Sequence, residues 1–150
     1  MSAELGPDWR DNFSSFDAIP FASASIGQVH RATLTPTFAK SHSIPYLDVA
    51  IKIQFPNIHT SIRSDLSNLA LILHASSLLP KGLFLDKTLE AMQDELEDEC
   101  DYEKEAEAAR RFQSALKGDE RFGVMSVVDA LSTKRVLSCR GWRVCPSSKL

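Results

Sequence analysis

Between Leu47 and Phe55 the sequence alternates, "LDVAIKIQF", with Val49, Ile51 and Ile53 on one side and Ala50, Lys52 and Gln54 on the other. After Pro56 the period changes, and Ile58, Ile62, Leu66, Leu69 and Leu73 recur at helical spacing until Pro80-Lys81-Gly82. A period of two belongs to a strand and a period near 3.6 to a helix, and a proline between them is a boundary neither element crosses. This switch commits the chain to a strand that feeds directly into an amphipathic helix. The fold class expected is therefore α+β, with helices packed on a sheet.

The flanking segments fit that frame. Ile19 and Phe21 read as entering a tight loop at residues 22 to 27, and Val29, Arg31 and Thr33 as leaving it on a second strand. Residues 35 to 47, with Pro36 and Pro45, read as a loop. A second helix is expected from an Asp86 N-cap, with Leu89, Met92 and Leu96 as its stripe, running to Lys117-Gly118. Val124 to Val128 and Arg135 to Leu137 offer two more short strands, giving a small antiparallel sheet with two long helices on one side.

Composition excludes several classes. With 150 residues, 43% hydrophobic and 25% charged, the chain can build one domain with a core. The net charge of -3 conceals an acidic run from Asp94 to Glu107 and a basic or neutral stretch after Asp129, which is no nucleic-acid footprint. Cys100, Cys139 and Cys145 form neither a C-x-x-C pair nor an even framework, arguing for a reducing compartment and against zinc. No apolar run reaches membrane-spanning length. The start of the chain is acidic and carries neither a signal core nor an arginine-rich presequence.

Two stretches carry chemistry. In "FASASIGQVH", Ala22, Ala24 and Gly27 stand where G-x-G-x-x-G has its glycines, and Val29 stands at the valine of a kinase loop. Backbone amides in such a loop meet phosphate as fixed dipoles, so Ala22, Ser23, Ala24, Ser25 and Gly27 are candidate nucleotide-binding residues. Alanine is the smallest departure from glycine, though its Cβ disfavours positive φ. Downstream, Val49-Ala50-Ile51-Lys52 is the V-A-I-K pattern, whose lysine meets phosphates and pairs with a helical glutamate. On one continuous helix Asp94, Asp98, Asp101 and Glu105 share a face, while Glu99 falls beside Met92 and Leu96. A carboxylate on a packed face needs a cation, so Glu99 is the expected partner of Lys52 and the two are the candidate catalytic residues. The remaining four are a solvated face, or a magnesium site completed by phosphates and water; the residues themselves assign no metal ligand.

Together "FASASIGQVHRATL", "VAIKIQFPNI", "SIRSDLSNL", "LPKGLFLD" and "ECDYEKEA" resemble the UbiB family of atypical kinase-like ATPases, in its mitochondrial coenzyme Q biosynthesis branch. The resemblance runs from about Leu5 to Leu137. It implies the amino-terminal lobe of a protein-kinase-like fold, with an alanine-rich loop, a lysine–glutamate pair and an E-x-D motif at Glu99 and Asp101, followed by Glu105. It also implies ATP and Mg2+ as cofactors and an ATPase that supports ubiquinone biosynthesis at the matrix side of the inner mitochondrial membrane. Coenzyme Q biosynthesis proteins and inner-membrane lipids are the implied partners. Ser23 interrupts the alanine run, K-x-G-Q is absent, and neither H-R-D nor D-F-G follows. The expected division is a lead-in over 1–18, the lobe over 19–137 and a divergent, disordered tail over 138–150, truncated before the second lobe and inactive alone. A non-catalytic interaction module and a truncated gene product stand as alternatives.

Overall fold

The computed structural model describes residues 1–75, 85–119 and 121–141. Its centre is an antiparallel sheet built from β1 (Phe13–Phe16), β2 (Ala22–Ser23), β3 (Gly27–Leu34), β4 (Asp48–Gln54) and β5 (Val136–Arg140). The order is β1-β3-β4-β5, and β2 pairs with the other end of β3, so β1 and β2 are successive segments along one edge. Helices α1 (Ser2–Leu5), α2 (Pro36–Ser41), α3 (Ile58–Ala75), α4 (Leu85–Glu99) and α5 (Tyr102–Ala115) complete the described elements, with 3-10 turns at Trp9–Asn12 and Asp129–Leu131.

Alternation along β4 gives the sheet two different faces. Val49 and Ile51 face a core made with Phe13, Ala32, Leu34, Leu131 and Val136. Met1, Leu5, Trp9 and Phe38 close that core from the outside. The opposite face carries Leu137 and Cys139, which pack with Ile26, Ile62, Cys100, Tyr102 and Ala106. Short helices and turns thus cover one face and long helices the other, rather than helices lying on a single side.

Several boundaries differ from those read in the sequence. The segment expected as a lead-in contains β1, because Phe13 is buried and Trp9, Phe13 and Phe16 pack edge to face. Ile19, expected to enter the sheet, is 83% exposed. The loop after Thr35 holds α2, whose first turn Thr35 caps through its hydroxyl with Pro36 following, a favourable start that the sequence displayed. The expected tail begins inside β5: Ser138 and Cys139 are buried and pair with Ile51 and Ala50. Residues 142–150 and the break at Pro80-Lys81-Gly82 lie outside the described residues. The single second helix is two, α4 and α5, parted at Cys100 and Asp101.

Candidate functional site

Residues directly opposed across a ladder share a face of the sheet. Val29 lies opposite Lys52, Arg31 opposite Ala50 and Thr33 opposite Asp48, and β5 places Leu137 and Cys139 opposite Lys52 and Ala50. Lys52 therefore sits mid-sheet on the face that the long helices only partly cover. Its Nζ donates to Glu105 Oε2 at 2.7 Å and lies 4.5 Å from the centroid of the Tyr102 ring.

The partner is Glu105, not Glu99. Glu99 is the last residue of α4 and is exposed. The helical path breaks after it, and backbone groups that the break frees find partners outside the helix. Gln54 Nε2 donates to the Cys100 carbonyl at 2.7 Å, and Tyr102 N donates to the Lys134 carbonyl at 3.0 Å. Asp101 caps α5, its carboxylate accepting from Glu103 N at 3.1 Å. The new helix restarts the angular count, so Tyr102, Glu105 and Ala106 turn together toward the sheet. A continuous helix would have kept Glu99 on the packed face, and that assumption fails at Cys100.

The other carboxylates disperse. Asp98 pairs with Lys104, Asp101 lies 3.5 Å from Lys134, and Asp94 is exposed on α4. Among the described residues no three His, Cys, Asp or Glu side chains converge as metal ligands.

The loop closes on itself. Ala22 and Ser23 pair with Val29 and Gln28 as β2, Phe21 N donates to Val29 O at 3.0 Å, and Ala24 N donates to Gly27 O at 2.8 Å. Phe55 N donates to Ile26 O at 2.9 Å and ties the turn to the end of β4. Among the described residues the amides of Ser25 and Ile26 have no hydrogen-bond acceptor, and of the two residues Ser25 is exposed while Ile26 is buried. None of residues 22 to 27 adopts positive φ, so alanine at 22 and 24 is unstrained. Gly27 is glycine for a different reason. A Cβ there would stand 2.5 Å from the Ile53 carbonyl oxygen and 2.8 Å from the Tyr102 hydroxyl.

Beside Lys52 an open groove of about 610 Å³ runs along the same face, lined by Phe21, Arg31, Asp48, Ala50 and Gly141 among others. The Arg31 guanidinium lies 4.7 Å from the Phe21 ring centroid. Sequence reading missed both this groove and Tyr102. The register that sets Arg31 against Ala50 is a tertiary fact, whereas Tyr102 was visible inside "ECDYEKEA". Burial, then the charges of Glu105 and Cys100, push the Tyr102 phenol up to about 12. Burial and Glu105 likewise raise the Cys139 thiol to about 11 against the opposing pull of Lys52. Both stay neutral at ordinary pH, so Cys139 is packing and not a nucleophile.

A strand lysine paired with a helical glutamate beneath a tight small-residue loop is the arrangement of a kinase amino-terminal lobe. The ABC1 atypical kinase-like domain matches residues 1–142. The chain belongs to this family. The match extends past Leu137, in keeping with β5. The chain is 46% identical over 138 residues to zebrafish (Danio rerio) "Atypical kinase COQ8B, mitochondrial", covering 92% of this chain and 21% of that protein. It is 47% identical over 138 residues to "Atypical kinase COQ8, mitochondrial" of Saccharomyces cerevisiae, covering 92% of this chain and 26% of that protein. The chain thus spans about a quarter or less of the length of these relatives. Among solved structures, Rv3197 of Mycobacterium tuberculosis, determined in complex with erythromycin, superposes with a TM-score of 0.70 at 33% identity, covering 94% of this chain and 33% of that one. No helix among the described residues is long and apolar enough to cross a membrane.

Proposed function

We propose that this chain is the ATP-binding lobe of an atypical kinase-like ATPase that supports ubiquinone biosynthesis in mitochondria. The observation that carries the reading is the 2.7 Å Lys52–Glu105 pair beneath the loop. Glu105 orients the ammonium, and Lys52, 25% exposed, keeps donors for phosphate oxygens. The amide of the exposed Ser25 adds a donor at the loop tip. The groove over Ala50 lies one side-chain repeat along β4 from Lys52, about 7 Å, which suits a base placed beside its own phosphates. Phe21 and Arg31 offer that base a stacking wall. ATP when bound supplies the phosphoryl group. With no three His, Cys, Asp or Glu side chains converging among the described residues, Mg2+ here would be held mainly by phosphates and water, beside one or two carboxylates at most. Coenzyme Q biosynthesis proteins and inner-membrane lipids are the partners that the family resemblance brings to this reading.

The test is nucleotide titration of the 150-residue chain with and without Mg2+. Binding is expected to be weak, because the groove is open to solvent, and to disappear in Lys52→Ala. Hydrolysis is expected to stay at the level of the Lys52→Ala control, since no H-R-D or D-F-G stands among the 150 residues. Identical ATP curves for the two forms would sink the nucleotide reading.

A second reading has one observation in its favour. Phe112, Phe122 and Met125 are exposed around an apolar groove at the far end of α5, as a docking module would present them. A partner whose affinity ignores nucleotide and survives Lys52→Ala would establish that reading instead.

A further inference from the structure

Tyr102 is fully buried, yet its hydroxyl has no hydrogen-bond partner. A buried phenol normally finds a partner, so its retention needs a reason. Two contacts supply one. The ring face lies under Lys52 Nζ, 4.5 Å from centroid to nitrogen, where the negative π surface attracts an ammonium. The hydroxyl end reaches the backbone of Gly27, close enough that a Cβ at that residue would stand only 2.8 Å away. Tyr102 is also the first residue of α5, and its amide is tied to Lys134. The residue is therefore fixed at its own backbone, touches the lysine with its face and touches the loop with its tip.

We propose that Tyr102 is a positioning residue: its ring seats the Lys52 ammonium while its hydroxyl end props the loop at Gly27, so that one buried side chain sets the spacing between loop and lysine. The proposal deepens the nucleotide reading and rests on it only for the functional consequence. Glu105 alone holds Nζ at one point; the ring restricts the second direction, toward the loop. A phenylalanine would keep the seat and lose the prop, and a leucine would lose both.

The experiment uses the full 150-residue chain with its lysines 13C-methylated, a change that keeps the ammonium charge. Lys52 is assigned by its loss in Lys52→Arg. Its methyl resonance is expected upfield of the other lysines through the ring current, unchanged in Tyr102→Phe and moved to the common lysine position in Tyr102→Leu. ATP affinity is expected to fall roughly three- to tenfold in Tyr102→Leu, the range of one cation–π contact, and by a smaller factor in Tyr102→Phe, which keeps the seat and loses only the prop. Because Tyr102→Leu can fail to fold, Gly27→Ala is compared in the wild-type and Tyr102→Phe backgrounds by thermal melting. The alanine should be less harmful where the hydroxyl is gone, although the Ile53 carbonyl contact remains. A Lys52 resonance unshifted in wild type, or Gly27→Ala equally harmful in both backgrounds, would overturn the proposal. Ring-current results as expected without ATP binding in any form would support the seat and reject the nucleotide reading.

Discussion

The two faces of the sheet share strands but little else. On one, Leu34, Ile51 and Val136 are wholly buried and short N-terminal elements seal the core. On the other, one residue along β4, Lys52 is only partly covered and the groove over Ala50 is open. The closed face holds the lobe together, and the open face holds charge where a ligand can reach it. Adjacent residues of one strand thus serve opposite ends, a consequence of the two-residue repeat.

The sharpest way to break this comparison is to substitute neighbours. Ile51→Ala should cost about 2–5 kcal/mol of stability, as for other fully buried aliphatic truncations. Lys52→Ala should cost about 1 kcal/mol or less, since a partly exposed ion pair contributes little, while abolishing nucleotide binding. Chemical denaturation of both variants checks the contrast, and comparable losses would mean the open face is structural after all. Next in size, Gly27→Ala should destabilise by about 1–3 kcal/mol through forced overlap with the Ile53 carbonyl and Tyr102. Ala24→Gly, which relieves no overlap, should change the melting temperature far less.

Alkaline pH sharpens the comparison further, because Cys139, Tyr102 and Cys100, all raised by burial, lie on the same side of the sheet as Lys52. The thiol of Cys139 moves from 9.0 to about 11 and the phenol of Tyr102 from 10.0 to about 12. The fold favours the protonated form of each, so their contribution is fully present below pH 9. It is lost as pH rises from 9 through 11 for Cys139 and from 10 through 12 for Tyr102. Melting temperature should begin to fall near pH 9 in wild type and fall less steeply above pH 9 in Cys139→Ala, where the Cys100 thiol, also raised by burial, keeps the onset in place. A fall of unchanged steepness would detach Cys139 from the effect.

The smallest effect separates two carboxylates. A double-mutant cycle between Lys52 and Glu105 should give a coupling of about 0.2–1 kcal/mol, and the cycle between Lys52 and Glu99 none within error. Coupling to Glu99 instead would restore the partner that the sequence had suggested.

Much of the lobe was legible because local rules set it. Alternation through "VAIKIQ" put Lys52 opposite the core side of its strand, and Pro56 ended that strand where α3 needed to begin. The small residues from Ala22 to Gly27 announced a tight loop. Less legible was anything that depended on pairing at a distance. Nothing near Phe13 reveals that it fills a core beneath Leu131, and Ser138 and Cys139 look like tail until β4 is placed beside them.

The sequence by itself determined a strand lysine, a small-residue loop and a helical segment rich in carboxylates to answer them. Only the tertiary structure decided which carboxylate answers. From Asp86 to Lys117 the residues favour one continuous helix, and local propensity has no reason to stop at Cys100. The break persists because Gln54 on β4 and the Lys134 carbonyl before β5, far away in sequence, take up the backbone groups it exposes. Restarting the helix at Asp101 turns Glu105 to Lys52 and leaves Glu99 in solvent, a rotation fixed by partners that no local window contains.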